Sequence, residues 1–406
     1  MLRDPRSAPL RVPHRVPRSA APGPTVAPAL AAAPALATIA LTALTAACGD
    51  NLPGPAAPPD AAGPGTRAII AAGDFMPGAA GVLSALSFDP LSVAKRVVRS
   101  GSIGSDPVIR RAAGELYVVN RSDGNNVTVL DEVTFKLLAQ LGTGAGSNPQ
   151  DVAVHGDELF VPAFGTAGVV VLSRFGADDR KIIDLSALDP DGQPNCVSAY
   201  AVGDEIYVAC EVLDASFRPR GPGQIAVIDA TTHAVKTTFP LGAANPFGVF
   251  EQLPPGVLGG DLVIPTVPSF GDFSTGCVER VQTGPAPRAN GCVVTNQALG
   301  GYAARIDVQL RFGTPILWLI ASKFDTAPRG NLQGYDLSTS MLWPNPISPP
   351  TQVLADLAVC PNGAIVVADQ TLAANGLRVY DGITEQTTEP LSIGLRPGSS
   401  HGLACY

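Results

Sequence analysis

Asp151, Asp356 and His401 are the side chains of this 406-residue sequence most able to do chemistry together. When the repeated segments described below are aligned, all three fall at the same level. Two carboxylates and an imidazole converging on one point can hold a divalent cation or supply a general base. Asp106, Asn148, Asn195 and Asn245 occupy neighbouring places in the same segments. Repetition of Asp and Asn there favours a humbler role, capping turns by accepting hydrogen bonds from backbone amides, with His401 the polar end of a strand. A second acidic stretch, Asp184 followed by Asp189-Pro190-Asp191-Gly192, spaces carboxylates before a glycine as a Ca²⁺ loop does. It lacks the closing bidentate Glu and reads as a surface turn. His155 and His233 fall in turns and are expected to be solvated. No nucleophile elbow, zinc-protease helix, phosphate-binding loop or Cys-x-x-Cys pair occurs, so those enzyme classes find no support. No cofactor is expected, and a divalent cation is the one left open.

These residues are carried by a unit of four short strands that returns every 40 to 50 residues from Arg67 onward. First strands with a tight turn are Val108-Ile109-Arg110-Arg111, Asp151-Val152-Ala153-Val154, Ala199-Tyr200-Ala201-Val202 and Asp356-Leu357-Ala358-Val359. Second strands follow at 115–120, 158–162, 205–210 and 364–369, third strands at 126–131, 168–173, 224–229 and 377–381, and fourth strands at 136–141, 181–185 and 234–241. One such unit cannot bury both its faces, so several must pack around an axis. The all-β fold expected is a β-propeller. Segments 68–73, 82–87 and 93–98 form a unit that lacks its first strand, and the C-terminal 399–406 aligns with 354–360 and would supply it as a velcro closure. That makes seven four-stranded blades. Residues 247–347 hold the poorest copies and leave six open.

Composition agrees. Hydrophobic residues make up 46% and charged residues 15%, enough apolar material for a large core. With 43 Gly and 39 Pro the chain suits short strands joined by many turns rather than long helices. A net charge of −8 without a basic block in the folded region supplies no positive field for a nucleic-acid partner.

The units resemble the YVTN-type, surface-layer-like bacterial β-propeller repeats. The matching residues are Asn148-Pro149 and Asn245-Pro246 before first strands, Tyr117-Val118-Val119-Asn120 and Tyr207-Val208-Ala209 in second strands, and Val227-Ile228-Asp229 in a third. This resemblance covers about 340 residues and implies a fold, not a chemistry.

The first 47 residues read as a signal peptide. Arg3, Arg6, Arg11, Arg15 and Arg18 precede an uncharged run from Val26 to Ala47, whose unbroken part is shorter than the roughly 20 residues a spanning helix needs. Thr45-Ala46-Ala47-Cys48-Gly49 resembles the bacterial lipobox, although Leu44 stands one place early. The resemblance implies lipidation of Cys48 after cleavage, and Gly49 in place of Asp implies an outer-membrane destination. Residues 50–66, rich in Pro, Ala and Gly, would form a tether. The domain division is therefore 1–47 signal peptide, 48–66 lipidated Cys and tether, and 67–406 propeller.

Six further cysteines, an even number in an exported chain, favour disulfides. Cys196 opens a first strand and Cys210 ends the second strand across a tight hairpin. Cys277 and Cys292 lie in the longest non-repeating stretch, 266–300, where a bridge would close a loop. Cys360 and Cys405 share a level on the last and first blades and could staple the ring, unless the strands stand too far apart and leave two buried thiols.

The long connections 211–223, 266–300, 323–331 and 370–375 all fall on one face, which makes that loop-bearing face the candidate site for an envelope protein or small ligand. A monomeric, non-enzymatic binding module is the leading reading. The alternative is a lactonase-like propeller hydrolase, because 367–381 resembles the strand pair of gluconolactonase-type propellers. There acidic and Asn residues hold a metal, for which Asp356, Asp369 and Asn375 are the local candidates.

Overall fold

A computed structural model describes residues 67–406 except 77, 177–178, 325–327, 350 and 399–400. The signal segment 1–47, Cys48 and the tether to 66 lie outside the described residues. Strand-forming runs pair into seven separate antiparallel sheets of four strands, so the propeller has seven blades. Blade one is the mixed one: Leu403–Cys405 is innermost, followed outward by Arg67–Ala72, Val82–Phe88 and Leu91–Ala94. Register is set by pairs such as Ile70 with Leu403 and Ala68 with Cys405. The last strand of the chain therefore closes the first blade.

The central strands of each blade have two buried faces because they lie between two other blades, while outermost strands such as Val235–Pro240 are largely exposed. In the second strand of blade four, Glu205–Cys210, Ile206 and Val208 pack toward blade three while Tyr207 and Ala209 pack toward blade five. Seven apolar clusters result, each shared by two neighbouring blades, and one of them joins blade seven to blade one through Val366, Leu377, Ile70 and Leu403. At roughly 25 cal/mol per Å² of apolar surface removed from water, no blade is stable on its own but the closed ring is.

The turns explain two recurrent residue types. Third strands end in Asp131, Asp229 and Asp336, whose carboxylates accept from backbone N–H and hydroxyl groups two and three residues on, in Thr134, Thr232 and Ser338 among others. Those bonds hold all three carboxyls below the usual carboxylate range, the side-chain or backbone bond to Thr or Ser being the largest cause. Asn148, Asn195 and Asn245, just before the inner strands, adopt positive φ of 45°, 54° and 55°. Asn tolerates that left-handed turn better than other residues with a Cβ.

Three expectations need correction. Residues 266–300 are not one loop: they carry the third and fourth strands of blade five, Cys277–Gln282 and Arg288–Thr295, and a four-residue helix, Asn296–Leu299. Bulges in the pairing of those two strands broke the alternation that would have revealed them. Residues 323–331 are mostly strand as well, since Thr314–Phe324 and Pro328–Asp336 pair up to Phe324 opposite Pro328. The fourth strand of blade one is Leu91–Ala94 rather than 93–98, because Ser87 pairs with Ser92 and places the turn at Asp89-Pro90.

Candidate functional site

The seven inner strands surround a central channel, and the sequence-predicted carboxylates stand behind its wall as fasteners. Asp151 of blade three is fully buried. Arg110 of blade two donates to it at 2.7 and 3.2 Å, and Ser198 Oγ and the Ala199 N–H of blade four donate at 2.9 and 3.1 Å. Asp356 of blade seven repeats the arrangement. Arg305 of blade six donates at 3.1 Å and the Leu403 N–H of blade one at 2.8 Å. Ser198 holds the same level in blade four, and its hydroxyl accepts from the Phe250 N–H of blade five at 2.9 Å. Each of these residues reaches forward to an inner-strand amide of the next blade, and each carboxylate also reaches back to an arginine of the blade before. Burial raises the Asp356 carboxyl, while Arg305 and the His401, Leu403 and Leu357 amides act against that rise.

His401 stands one residue before this level, which Gly402 occupies in blade one. A Cβ on Gly402 would fall 2.4 Å from the Ala71 carbonyl oxygen, so no larger residue fits. His401 has φ +79° and is 4% exposed. Its Nε2 lies 3.0 Å from where a Cβ on Gly248, in blade five, would sit. The imidazole thus spans the channel from blade one to blade five and occupies its loop-side end. The His401 backbone amide bonds to Asp356, while its imidazole lies against Gly248.

Below it, toward the tight-turn face, lies a cavity of about 360 Å³ bounded by the second halves of all seven inner strands. Ala112, Ala153, Val154, Ala201 and Val359 form much of its wall, with Arg110, Arg111, Tyr200, Glu251, Arg305 and Asp307 as its polar members. Arg305 donates to Glu251 at 2.5 Å as well as to Asp356. Burial works against its charge, yet Glu251, Asp356 and Asp307 hold its pKa above the ordinary value. Asp307 accepts from the Val308 and Val359 N–H groups, each at 2.7 Å. Burial and then Glu251 push its carboxyl well above the carboxylate range, against Arg305 and those amides. Burial, with Glu251 and Asp307, pushes the Tyr200 hydroxyl up to about 12.

Sequence reading missed Glu251, Arg305 and Asp307 because they lie in blades five and six, whose repeats are the most degraded. Alternation within Tyr302–Arg311 was the available signal, since Arg305 and Asp307 share a face of that strand. The remaining candidates do not join a common site. Asp369 accepts from Thr371 and from Arg378 at 2.7 Å, apart from the Arg305 and backbone partners of Asp356, and Asn375 lies in the connection after it. In the Asp189-Pro190-Asp191 turn the cation is Arg220, 2.7 Å from Asp191 and 3.6 Å from Asp189. His155 and His233 are hydrogen-bonded rather than simply solvated, to Asp204 at 3.1 Å and to Glu158 at 2.8 Å. Among the described residues no three His, Cys, Asp or Glu side chains are placed to hold a metal ion.

Three disulfides complete the frame: Cys196–Cys210, Cys277–Cys292 and Cys360–Cys405, with Cα separations of 3.8, 5.7 and 4.8 Å. The first and third follow the expected placement. The second joins the third and fourth strands of blade five rather than closing a free loop.

No protein-family model matches the sequence, and no curated protein matches it. Among solved structures, a protein from Bacteroides uniformis assigned as a 6-phosphogluconolactonase is similar over 84% of this chain and 98% of its own, at 15% identity and a TM-score of 0.52. Apo AztD from Citrobacter koseri is similar over 84% and 98% at 12% identity, with a TM-score of 0.49. At such identities the first likeness bears on the fold alone, and the second adds no argument.

Proposed function

We propose that this chain is an envelope lipoprotein, anchored through Cys48, whose propeller is a non-enzymatic binding module that takes a small ligand into its central channel. The observation that carries this reading is the cavity at the tight-turn end, enclosed by all seven inner strands and faced by Tyr200, Glu251 and Asp307. Its volume is in the range of small-molecule sites, and its wall is about half apolar and half polar, with charged groups converging on the space. The face expected from loop length gives way here to the channel, because His401 occupies the loop-side end.

Arg67, where the described chain enters blade one, pairs its backbone with Tyr406 at the tight-turn face. A tether running from Cys48 would therefore join the propeller on the side where the cavity lies. Mass spectrometry of the membrane-extracted protein is expected to show an acylated chain beginning at Cys48, and Cys48→Ala to release it from membranes. A mature chain with an unmodified N-terminus elsewhere would remove the anchor.

The ligand site is tested by native mass spectrometry of the protein after exposure to envelope extract. A small molecule retained by the wild type and lost from Ala201→Trp, which fills the cavity, is expected. Equal retention by both, or none by the wild type, overturns the channel as the site. The hydrolase alternative requires Asp356 and Asp369 at one metal, whereas their oxygens engage Arg305 and backbone amides in one case and Thr371 and Arg378 in the other. Turnover of a sugar lactone that is lost in Asp369→Asn would revive it.

A further inference from the structure

Taking the channel as the ligand site, we infer that its occupant is a small organic cation, an ammonium group on a short carbon chain, received by Glu251, Asp307 and Tyr200. The first ground is a deficit of positive charge. Arg110 is taken by Asp151, and Arg111, at the rim, by Glu132 at 2.6 Å. Arg305 alone then serves Glu251 and Asp307 on the cavity wall and Asp356 behind it, so one positive charge is set against three negative ones. Asp307 rests on two backbone N–H groups and, among the described residues, makes no ion pair within salt-bridge distance. Uncompensated carboxylates in a partly enclosed space are costly, and either a proton or a cation relieves them.

The second ground is the rest of the wall. Alanine and valine side chains suit a carbon chain, and Tyr200 on the wall adds an aromatic residue beside the carboxylates. A metal ion is the poorer fit, since no three metal-ligating side chains converge among the described residues. A bound ammonium would draw Asp307 back toward its ionised form, and binding would release its proton. Affinity should therefore fall as pH drops through the raised range of Asp307, while an alkyl ammonium, like lysine, stays charged throughout. Glu251, Arg305 and Tyr200 face Asp307 in the channel and set where that range lies.

The test is calorimetric titration of the mature protein with 1,4-diaminobutane and with its uncharged counterpart 1,4-butanediol, at pH 5 and pH 8 and in two buffers of different protonation enthalpy. Expected are binding of the diamine at least tenfold tighter at pH 8 than at pH 5, release of a proton at the lower pH, and no binding of the diol. Asp307→Asn should weaken the diamine at least tenfold at pH 8 and remove the pH dependence. Should that variant not fold, proton release by the wild type decides alone. Absence of diamine binding, pH-independent binding without proton release, or equal binding of the diol each overturns the inference. If a neutral or anionic molecule is instead retained by the wild type and lost in Ala201→Trp, the channel stands as the site and only the cation is wrong.

Discussion

Glu211 illustrates what a single residue contributes. It follows Cys210 at the loop-side end of blade four and is 8% exposed, and burial alone raises its carboxyl from 4.5 to about 8. A carboxyl raised in the fold holds its proton more tightly than in the unfolded chain. The protein is therefore stabilised least above pH 8, and the penalty disappears as pH falls to about 4.5. At pH 7 the difference of 2.5 pH units, at 1.36 kcal/mol each, is about 3 kcal/mol. Glu211→Gln should raise the denaturant midpoint at pH 8 and leave it unchanged at pH 4.5. An equal effect at both pH values would mean that packing, not protonation, governs the site. Val212 beside it has φ +56°, unusual for a β-branched residue, so both neighbours store cost at one turn.

Elements are joined by the inner-strand fasteners. Asp356→Ala would leave Arg305 buried with Glu251 as its one direct carboxylate partner and strip the Leu403 N–H of its acceptor. Removing one member of a buried pair typically costs about 3 to 5 kcal/mol. We expect a loss of that size by chemical unfolding. Ser198→Ala removes a donor to Asp151 and the acceptor for Phe250, at about 1 to 3 kcal/mol. A Ser198→Ala protein as stable as the wild type would show that water replaces the hydroxyl. Of these elements, the strands of blades two, three, four and seven were legible in the alternation of apolar residues and the tight Gly turns. Those of blade five were not, because bulges between Cys277–Gln282 and Arg288–Thr295 shift the period of two.

At the scale of the whole molecule, closure decides stability. Pairing of Leu403–Cys405 with Arg67–Ala72 brings the two ends of the propeller into one sheet, and Cys360–Cys405 ties that strand to blade seven across 45 residues. Loop-closure entropy assigns such a bond about 4 kcal/mol. Cys360→Ser with Cys405→Ser should therefore lower unfolding stability by up to that amount while the far-ultraviolet spectrum keeps its β signature. No loss at all would place the closure in packing and backbone pairing alone.

Ring closure and the pairing of Cys196 with Cys210 followed from the sequence by itself, and the blade number to within seven or six, because period-two alternation and turn residues are local properties of the chain. Asp151 and Asp356 were also visible there, as recurrent acids at one level, but not their work. Whether a carboxylate faces a channel or an arginine two strands away depends on how neighbouring blades tilt, and that is a property of packed elements. Tertiary structure alone placed His401 across the channel against Gly248 and gathered Glu251, Arg305 and Asp307, from two blades, around one cavity. Their spacing in sequence carries no trace of it, since the contacts run around the ring while the repeat runs along the chain.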